Sequence, residues 1–151
     1  MYVPERLRDP GSEPPRRGLV VREPWASRLL AGTKVWEIRG RSTRIRGPIA
    51  LIAGGSKTVI GVLDLVDVLG PLSAAQYAAG WLERGVCADD GEPLPYPSTY
   101  AWVVRNPWAL LPPVPYVHPS GAVTWLRLSE DVRAGIGAAL SPSPHRLDTA
   151  T

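Results

Sequence analysis

The residues that could do chemistry in this sequence cluster in a short stretch of its first third. Lys34, Glu37 and Arg39 stand within six residues of one another, and Pro24 and Trp25 precede them. An ammonium and a guanidinium neutralise phosphates, and a carboxylate between them orients them or accepts a hydrogen bond from the exocyclic amine of a base. The pattern is therefore compatible with a site for an anion such as a phosphate.

The same part of the chain carries a surplus of positive charge. Residues 16–46 contain nine Lys or Arg and two Glu, a net charge of +7, whereas the whole chain of 151 residues has a net charge of +3. A basic block inside folded sequence is what a phosphate-binding face needs. The alternative is a solvated arginine-rich surface. Lys34 and Lys57 are the only lysines, so a lysine at position 34 stands out where arginine is the usual cation.

Most standard enzyme signatures are missing from the sequence. It has no glycine-rich phosphate-binding loop that opens a helix, no G-x-S-x-G elbow and no cluster of His, Cys and Asp ligands. Cys87 is the single cysteine, which excludes an internal disulfide and a cysteine zinc site, and we interpret it as an inert thiol. His118, in a proline-rich loop, is interpreted as a surface side chain. We therefore expect no metal and no cofactor.

The composition is that of a globular protein, with 44% hydrophobic and 21% charged residues. Residues 1–17 and 141–151 offer no apolar face, so we expect a disordered leader and a disordered tail around one domain over 18–140. No segment approaches the roughly 20 apolar residues that cross a bilayer, and the charged start lacks the features of a signal peptide. We therefore expect a cytoplasmic protein.

Hydrophobic periodicity predicts short helices among several strands. The strands are predicted over 19–22, 33–39, 48–53, 58–69, 99–104 and 122–128, and the helices over 24–31, 74–84 and 130–140. Irregularly spaced strands with few helices favour a mostly β fold, a small and mostly antiparallel β-barrel with flanking helices.

Residues 22–41, REPWASRLLAGTKVWEIRGR, closely resemble the activating-signal-cointegrator homology (ASCH) domain family. The hallmark of that family is Pro-Trp at a helix start followed by G-x-K-x-x-E-x-R, which Gly32, Lys34, Glu37 and Arg39 match. The likeness continues through RGPIALIA, VIGVLDLVDVL, YAWVVRNPWAL and GAVTWLRL in that order. It thus covers nearly all of residues 18–128.

The resemblance implies a small PUA-like β-barrel and a cleft between the first helix and the barrel that holds nucleic acid. It also implies that Lys34, Glu37 and Arg39 face this cleft. Strict alternation along a strand would separate Lys34 from the other two, so all three share the cleft only if Lys34 precedes the strand. The nucleic-acid-binding residues predicted on this basis are Pro24, Trp25, Lys34, Glu37, Arg39, Arg41, Arg44, Arg46, Tyr100 and Trp102.

The aromatic side chains near the predicted cleft have two interpretations. Trp25, Trp36, Tyr100 and Trp102 could stack on bases, each stack being worth roughly 1 to 3 kcal/mol. The alternative is core packing, since the chain has six Trp and no Phe, and tryptophan must fill space that phenylalanine fills elsewhere.

Some proteins of the resembled family are enzymes, either ribonucleases or amidohydrolases that act on acylated cytidine. The amidohydrolases resemble this chain in the G-x-K turn, but they use a threonine nucleophile three residues after the lysine, where this chain has Glu37. Lys34 with Glu37 and Asp64 could instead activate a water. The alternative for Asp64 is a charge turned to solvent or paired with Arg39.

Three functions therefore stay open. The leading one is a module that binds single-stranded RNA or DNA, or a modified nucleoside; we expect a monomer with no membrane partner. The second is a small hydrolase of RNA or acylated cytidine that uses Lys34, Glu37 and Asp64. The third is a protein-interaction module of a transcription coregulator, in which the arginine face meets an acidic partner.

Overall fold

The computed structural model describes residues 13–89 and 91–140. These residues form six strands and three helices. In chain order they are β1 (Arg17–Val21), α1 (Trp25–Ala31), β2 (Trp36–Arg39), β3 (Gly47–Ala53), β4 (Thr58–Leu69), α2 (Ala74–Ala79), β5 (Tyr100–Pro115), β6 (Trp125–Arg127) and α3 (Glu130–Leu140). In the described part of the chain no helix is both long enough and apolar enough to span a bilayer.

The expected leader and tail fall mostly outside the described residues, namely at 1–12 and 141–151. The end of the expected leader is described and belongs to the fold. Arg17 begins β1, and the carbonyl oxygen of Pro14 accepts a hydrogen bond from Arg133 Nη2 of α3 at 3.1 Å. The ordered domain therefore begins before Gly18, because this short segment packs against the last helix.

All six strands form one sheet in the order β2-β5-β4-β3-β1-β6. The β1–β3 pair is parallel and the other pairs are antiparallel. The sheet curls enough for its distant strands to meet through side chains. Arg39 on the edge strand β2 donates to the carbonyl oxygen of Val20 on β1 at 2.8 Å, and Trp102 on β5 stacks on Trp125 of β6 with ring centroids 5.6 Å apart. The predicted small, mostly antiparallel barrel with flanking helices is confirmed as a curled half-barrel.

The core lies on both faces of the curled sheet. Inside the curl, Leu63 and Leu65 of β4 pack with Leu29 of α1, which covers this side. On the outer face, Val62 of β4 packs with Ile136 of α3. Alternation along β4 sends successive side chains to these two clusters, so α1 and α3 cover opposite faces.

The first helix follows its local signals closely. Pro24 is its N-cap, and Gly32 ends it in the left-handed conformation at φ 81° with its N–H bonded to the carbonyl oxygen of Leu29. A glycine at the C-cap adopts this conformation without strain. The predicted boundaries of 24–31 therefore differ from α1 by one residue.

The second helix is shorter than predicted. Ser73 caps it through reciprocal bonds with Gln76, as a capping box requires, but α2 stops at Ala79 instead of reaching Arg84. Gly80 lies against the ring of Trp36, where a Cβ would collide with the indole. Residues 80–85 instead form turns that return the chain to the start of β2, because the Glu83 carbonyl oxygen accepts from the N–H groups of residues 35 and 36 at 2.9 Å each.

The fifth strand is much longer than predicted. The predicted strand ends at Val104 and leaves the proline-rich stretch that follows without an assigned element, but β5 continues to Pro115 by pairing with β4. Strand β2 pairs only with residues 100–103 of β5, so the later part of β5 has one open edge. Prolines tolerate such an edge because their missing N–H would have had no partner there.

Candidate functional site

A cleft of about 390 Å³ opens between α1, the start of β2 and the chain that follows α2. Four cations, two carboxylates and several aromatic rings line it. The cleft is defined here by Val20, Arg22, Trp25, Lys34, Glu37, Ile38, Arg39, Tyr77, Arg84, Val86, Glu92, Pro95, Tyr96 and Val123. Its volume falls within the range of small-molecule sites, which is roughly 300 to 1,000 Å³.

Lys34 reaches the cleft because it lies before β2. The strand begins at Trp36, so alternation does not yet apply to Lys34, and its backbone N–H bonds to the carbonyl oxygen of Arg28 at 3.2 Å. The ammonium donates to the carbonyl oxygen of Arg84 at 3.1 Å and lies 3.8 Å from Glu37 Oε1. The geometric condition set by the sequence is met, and Lys34, Glu37 and Arg39 line one cavity.

The Lys34 ammonium titrates far below its ordinary range. Only 4% of the residue is exposed, and this burial lowers its pKa from 10.5 to about 8. The charge of Glu37 acts in the opposite direction, while Arg84, Arg28 and Arg39 lower the pKa further. Lys34 is therefore mostly charged at pH 7 and loses its proton just above neutrality.

Glu37 holds the two cations together. It is buried, with Oε1 toward Lys34 and Oε2 bonded to Arg39 at 2.9 Å. Arg39 also donates to the Val20 carbonyl oxygen, so its guanidinium ties β2 to β1 across the open side of the sheet. The Glu37–Arg39 pair at the floor of the cleft therefore also helps to close the barrel.

Arg84 is a cleft residue that the sequence prediction missed. It is 4% exposed, bonds through Nε to the carbonyl oxygen of Tyr77 at 3.1 Å, and lies 3.9 Å from the centre of the Tyr77 ring. A signal for it exists, since Arg84 is the only Lys or Arg between Lys57 and Arg105. It also follows Tyr77 by seven residues, which would place both on one face of a continued helix.

Gly85 fixes the approach of this turn to Lys34. Its φ is +80°, and a Cβ at this position would lie 2.6 Å from the Cβ of Lys34. Its carbonyl oxygen accepts from Arg28 Nη1 at 3.0 Å. A glycine is needed here because both the backbone conformation and the close contact exclude a side chain.

The aromatic lining differs from the predicted one. Trp25 lines the cleft half-buried, with Arg28 and Lys34 4.9 and 5.1 Å from its ring centre. Tyr96, which the sequence prediction missed, also lines the cleft and is 41% exposed. Trp102 is only 2% exposed and packs in the core. Of these rings, Tyr96 is the one most open to a ligand.

The comparisons with known proteins bear directly on this arrangement. The family model of the ASCH domain matches residues 19–113. The chain belongs to the ASCH domain family. The match spans α1, β2, β3 and β4 in full and most of β1 and β5, and the resemblance to this family predicted from the sequence is confirmed.

Solved ASCH structures share the fold of this ASCH domain at low sequence identity. The crystal structure of an ASCH protein from Zymomonas mobilis has 14% identity and a TM-score of 0.63, covering 81% of this chain and 93% of its own. A serine-to-alanine variant of that protein has 15% identity and a TM-score of 0.59, covering 83% of this chain and 97% of its own. A tyrosine-to-phenylalanine variant has 14% identity and a TM-score of 0.56, covering 81% of this chain and 96% of its own. No curated protein sequence matches this chain significantly.

The remaining predicted nucleic-acid residues of this ASCH domain lie outside the cleft. Pro24 is exposed at the N-cap of α1, and Tyr100 packs against the core. Arg41, Arg44 and Arg46 are exposed on the loop between β2 and β3, where the last two line a separate depression. Sequence analysis therefore predicts the charged residues at the floor of the cleft and does not predict those at its rim.

Asp64 is not brought to Lys34. It is fully buried, and its Oδ2 accepts from Asn106 Nδ2 at 3.2 Å. It alternates with Leu63 and Leu65, which face the interior, so it lies on the other face of β4. Burial raises the pKa of Asp64 from 3.8 to about 7. Both expected alternatives are wrong, since the residue is not at the surface and the described ion pair of Arg39 is with Glu37.

The described residues also hold no group of three His, Cys, Asp or Glu side chains placed to bind a metal ion. The chemistry of the cleft is therefore that of its cations, its two carboxylates and its exposed ring. Such a set can neutralise an anion, accept a hydrogen bond and stack on a planar group.

Proposed function

We propose that this ASCH domain binds single-stranded nucleic acid, and RNA in particular, in the cleft. The observation that carries the proposal is the charge at the cleft floor. A buried lysine and two buried or half-buried arginines lie there with a single buried carboxylate, inside a cavity of nucleotide size. Excess positive charge that is partly desolvated is stabilised by a bound anion.

A phosphate is the anion that this geometry suits. Lys34 is a compact donor with one of its protons given to the Arg84 carbonyl oxygen, which leaves donors for a ligand. Arg22 lies exposed at the rim, where it can add a second contact. Lys34 thus supplies the deep contact and Arg22 the outer one.

A single base fits beside that phosphate. Tyr96 offers an exposed ring in the same cavity, and stacking of a base on an aromatic ring is worth roughly 1 to 3 kcal/mol. Bases are free to enter such a cavity only when they are unpaired, as in RNA loops and single strands. This favours a single strand over a duplex.

The hydrolase alternative has less support in the geometry. The third member of its proposed set, Asp64, lies on the opposite face of β4 from the interior residues. The position where the amidohydrolases carry a threonine nucleophile holds Glu37, whose carboxylate is engaged with Lys34 and Arg39. We therefore favour a binding function over a hydrolytic one.

Lys34→Met is expected to weaken RNA binding strongly and leave the fold intact. A labelled single-stranded RNA of adenosine and cytidine should lose roughly tenfold in affinity, and the salt slope of log Kd should fall by about 0.7 as one phosphate contact disappears. Anisotropy between about 50 and about 200 mM salt measures both quantities. Lys57→Gln removes the same charge from an exposed turn outside the cleft and is the matched control.

Three results of this experiment have distinct meanings. Equal losses in Lys34→Met and Lys57→Gln would contradict a specific cleft site. Cleavage of the RNA by the unaltered protein, lost in Lys34→Met, would favour the ribonuclease alternative. If the folded protein neither binds nor cleaves RNA or single-stranded DNA, the proposal is wrong, and acylated cytidines and acidic protein partners become the next ligands to test.

The affinity for RNA is expected to fall as the pH rises from 7 to 9. The free protein holds a charged Lys34 below its pKa of about 8 and a neutral one above it, so phosphate binding weakens across that value. Adenine and cytosine do not titrate in this range, which assigns the change to the protein. Anisotropy titrations of both proteins test this. Lys34→Met should lose most of the pH dependence, because Asp64, whose pKa is about 7, does not line the cleft.

A further inference from the structure

A second basic depression lies apart from the cleft. It has a volume of about 550 Å³ and contains four arginines, one glutamate and apolar positions that are mostly proline. This arginine depression is lined by Glu13, Pro14, Pro15, Arg16, Arg17, Arg44, Ile45, Arg46 and Pro48. None of these residues lines the cleft.

The sheet register brings the arginines together. Strands β1 and β3 run parallel with Gly18 opposite Ala50, so the residues that precede each strand emerge side by side. Arg16 and Arg17 therefore lie next to the start of β3, which Arg46 immediately precedes. The cluster is a consequence of strand pairing and not of sequence proximity.

The loop between β2 and β3 holds its arginines in a defined shape. At one end, the carbonyl oxygen of Arg41 accepts from Trp102 Nε1 at 2.8 Å. At the other end, Ile45 packs against the core, and Arg46 Nη1 donates to the carbonyl oxygens of Thr43 and Ile45 at 2.9 and 2.8 Å. Arg44 and Arg46 flank the inward Ile45, so both project outward. A loop whose backbone is already ordered loses less entropy when it binds a ligand.

The charge of the depression is unbalanced. Among the described residues Glu13 is its single carboxylate, and it forms an exposed ion pair with Arg16 at 3.4 Å. Arg17 also stands directly opposite Arg127 in the β1–β6 pair. Like charges opposite each other in a sheet are destabilising, and a bound anion would relieve this.

We propose that the arginine depression is a second phosphate-binding site, which holds the backbone of the same RNA strand that enters the cleft. The proposal rests on the proposed function. Val20 lines the cleft and Arg17 lines the depression. Both belong to β1, and their Cα atoms are about 10 Å apart along the strand. Arg39, Arg41 and Arg44 lie along the chain that connects the two sites.

A polynucleotide backbone explains the lining better than an acidic protein does. The described residues of the depression offer guanidinium groups and no aromatic ring to stack on a base, so they can bind phosphates without reading sequence. Guanidinium groups bind phosphate in bidentate fashion, which favours arginine here. The expected division is one base in the cleft and backbone alone in the depression.

NMR titrations with RNAs of two lengths distinguish binding at the cleft from binding at the depression. A trinucleotide of adenosine and cytidine should shift the backbone amides of residues 34–39, whereas an RNA of about ten nucleotides, within the usual site size of small barrels, should also shift those of 16–18 and 43–46. Arg17→Gln/Arg44→Gln should weaken the longer RNA at least about tenfold and lower the salt slope by about 1.4, since two phosphate contacts are lost. The trinucleotide affinity should not change.

The outcomes distinguish this proposal from the one it rests on. If the longer RNA shifts only the cleft amides, or if the double variant binds it with the affinity and salt slope of the unaltered protein, the second site is wrong and the cleft stands. If neither RNA shifts the cleft amides, the proposed function itself fails. Lys57→Gln again controls for the loss of charge alone, and an equal loss of affinity there would also overturn the second site.

Discussion

Trp102→Ala is expected to lower the free energy of unfolding by about 3 to 5 kcal/mol, the range for removing a large aromatic side chain from a core. Trp102 is 2% exposed, stacks on Trp125 across the curl of the sheet, and donates through Nε1 to the carbonyl oxygen of Arg41. Its loss therefore opens a cavity, removes the stacked pair between β5 and β6 and releases the loop that starts at Arg41. Urea denaturation followed by circular dichroism measures the change.

Tyr96→Ala is the matched comparison for this prediction. Tyr96 is 41% exposed in the cleft, so its replacement should change stability little and weaken RNA binding by roughly 1 to 3 kcal/mol. Trp102→Phe keeps most of the ring and should recover much of the stability. The opposite pattern, with Trp102→Ala stable but deficient in binding and Tyr96→Ala unaffected, would restore the base-stacking interpretation of Trp102.

The features that local chemistry defines follow directly from the sequence. Strand β4 has its predicted boundaries, Thr58–Leu69, because β-branched and other apolar residues dominate it despite two Asp, and turn residues precede it. Helix α1 differs by one residue because proline and glycine mark its two ends. Lys34, Glu37 and Arg39 meet in one cavity because they follow that helix within a single turn and a short strand.

The features that depend on tertiary contacts do not follow from the sequence. The length of β5 depends on which of its edges is open, and four prolines conceal the strand from any local pattern. The turns that follow α2 are held by a tertiary contact, in which the Glu83 carbonyl oxygen accepts from the N–H groups of residues 35 and 36. Arg84 and Tyr96 reach the cleft through turns and loops whose path no periodicity specifies. The residues at the rim of the site are therefore the ones that sequence analysis does not predict.

Glu37→Gln is expected to destabilise the protein by about 3 kcal/mol or more, because it leaves buried cations without their counter-charge. Glu37 is the only carboxylate in contact with Lys34 and Arg39 among the described ion pairs. Lys34→Met should cost much less, since it removes a desolvated ammonium and leaves Glu37 paired with Arg39 at 2.9 Å. The double variant should then recover part of the stability that Glu37→Gln loses. Chemical denaturation of the three variants measures these differences.

The pH dependence of that deficit identifies its cause. Glu37 is the one group that raises the pKa of Lys34, so in Glu37→Gln this pKa falls below about 8. Between the two values the folded variant binds fewer protons than the folded unaltered protein, while Lys34 in both unfolded chains stays protonated. Stability rises with pH wherever the unfolded state binds more protons than the folded state. The free energy of unfolding of Glu37→Gln therefore rises with pH in this window while that of the unaltered protein does not, and the difference between them shrinks as the pH approaches about 8. A deficit that is constant over this window, and equal in Lys34→Met, would mean that packing rather than the buried charge of Lys34 makes Glu37 necessary.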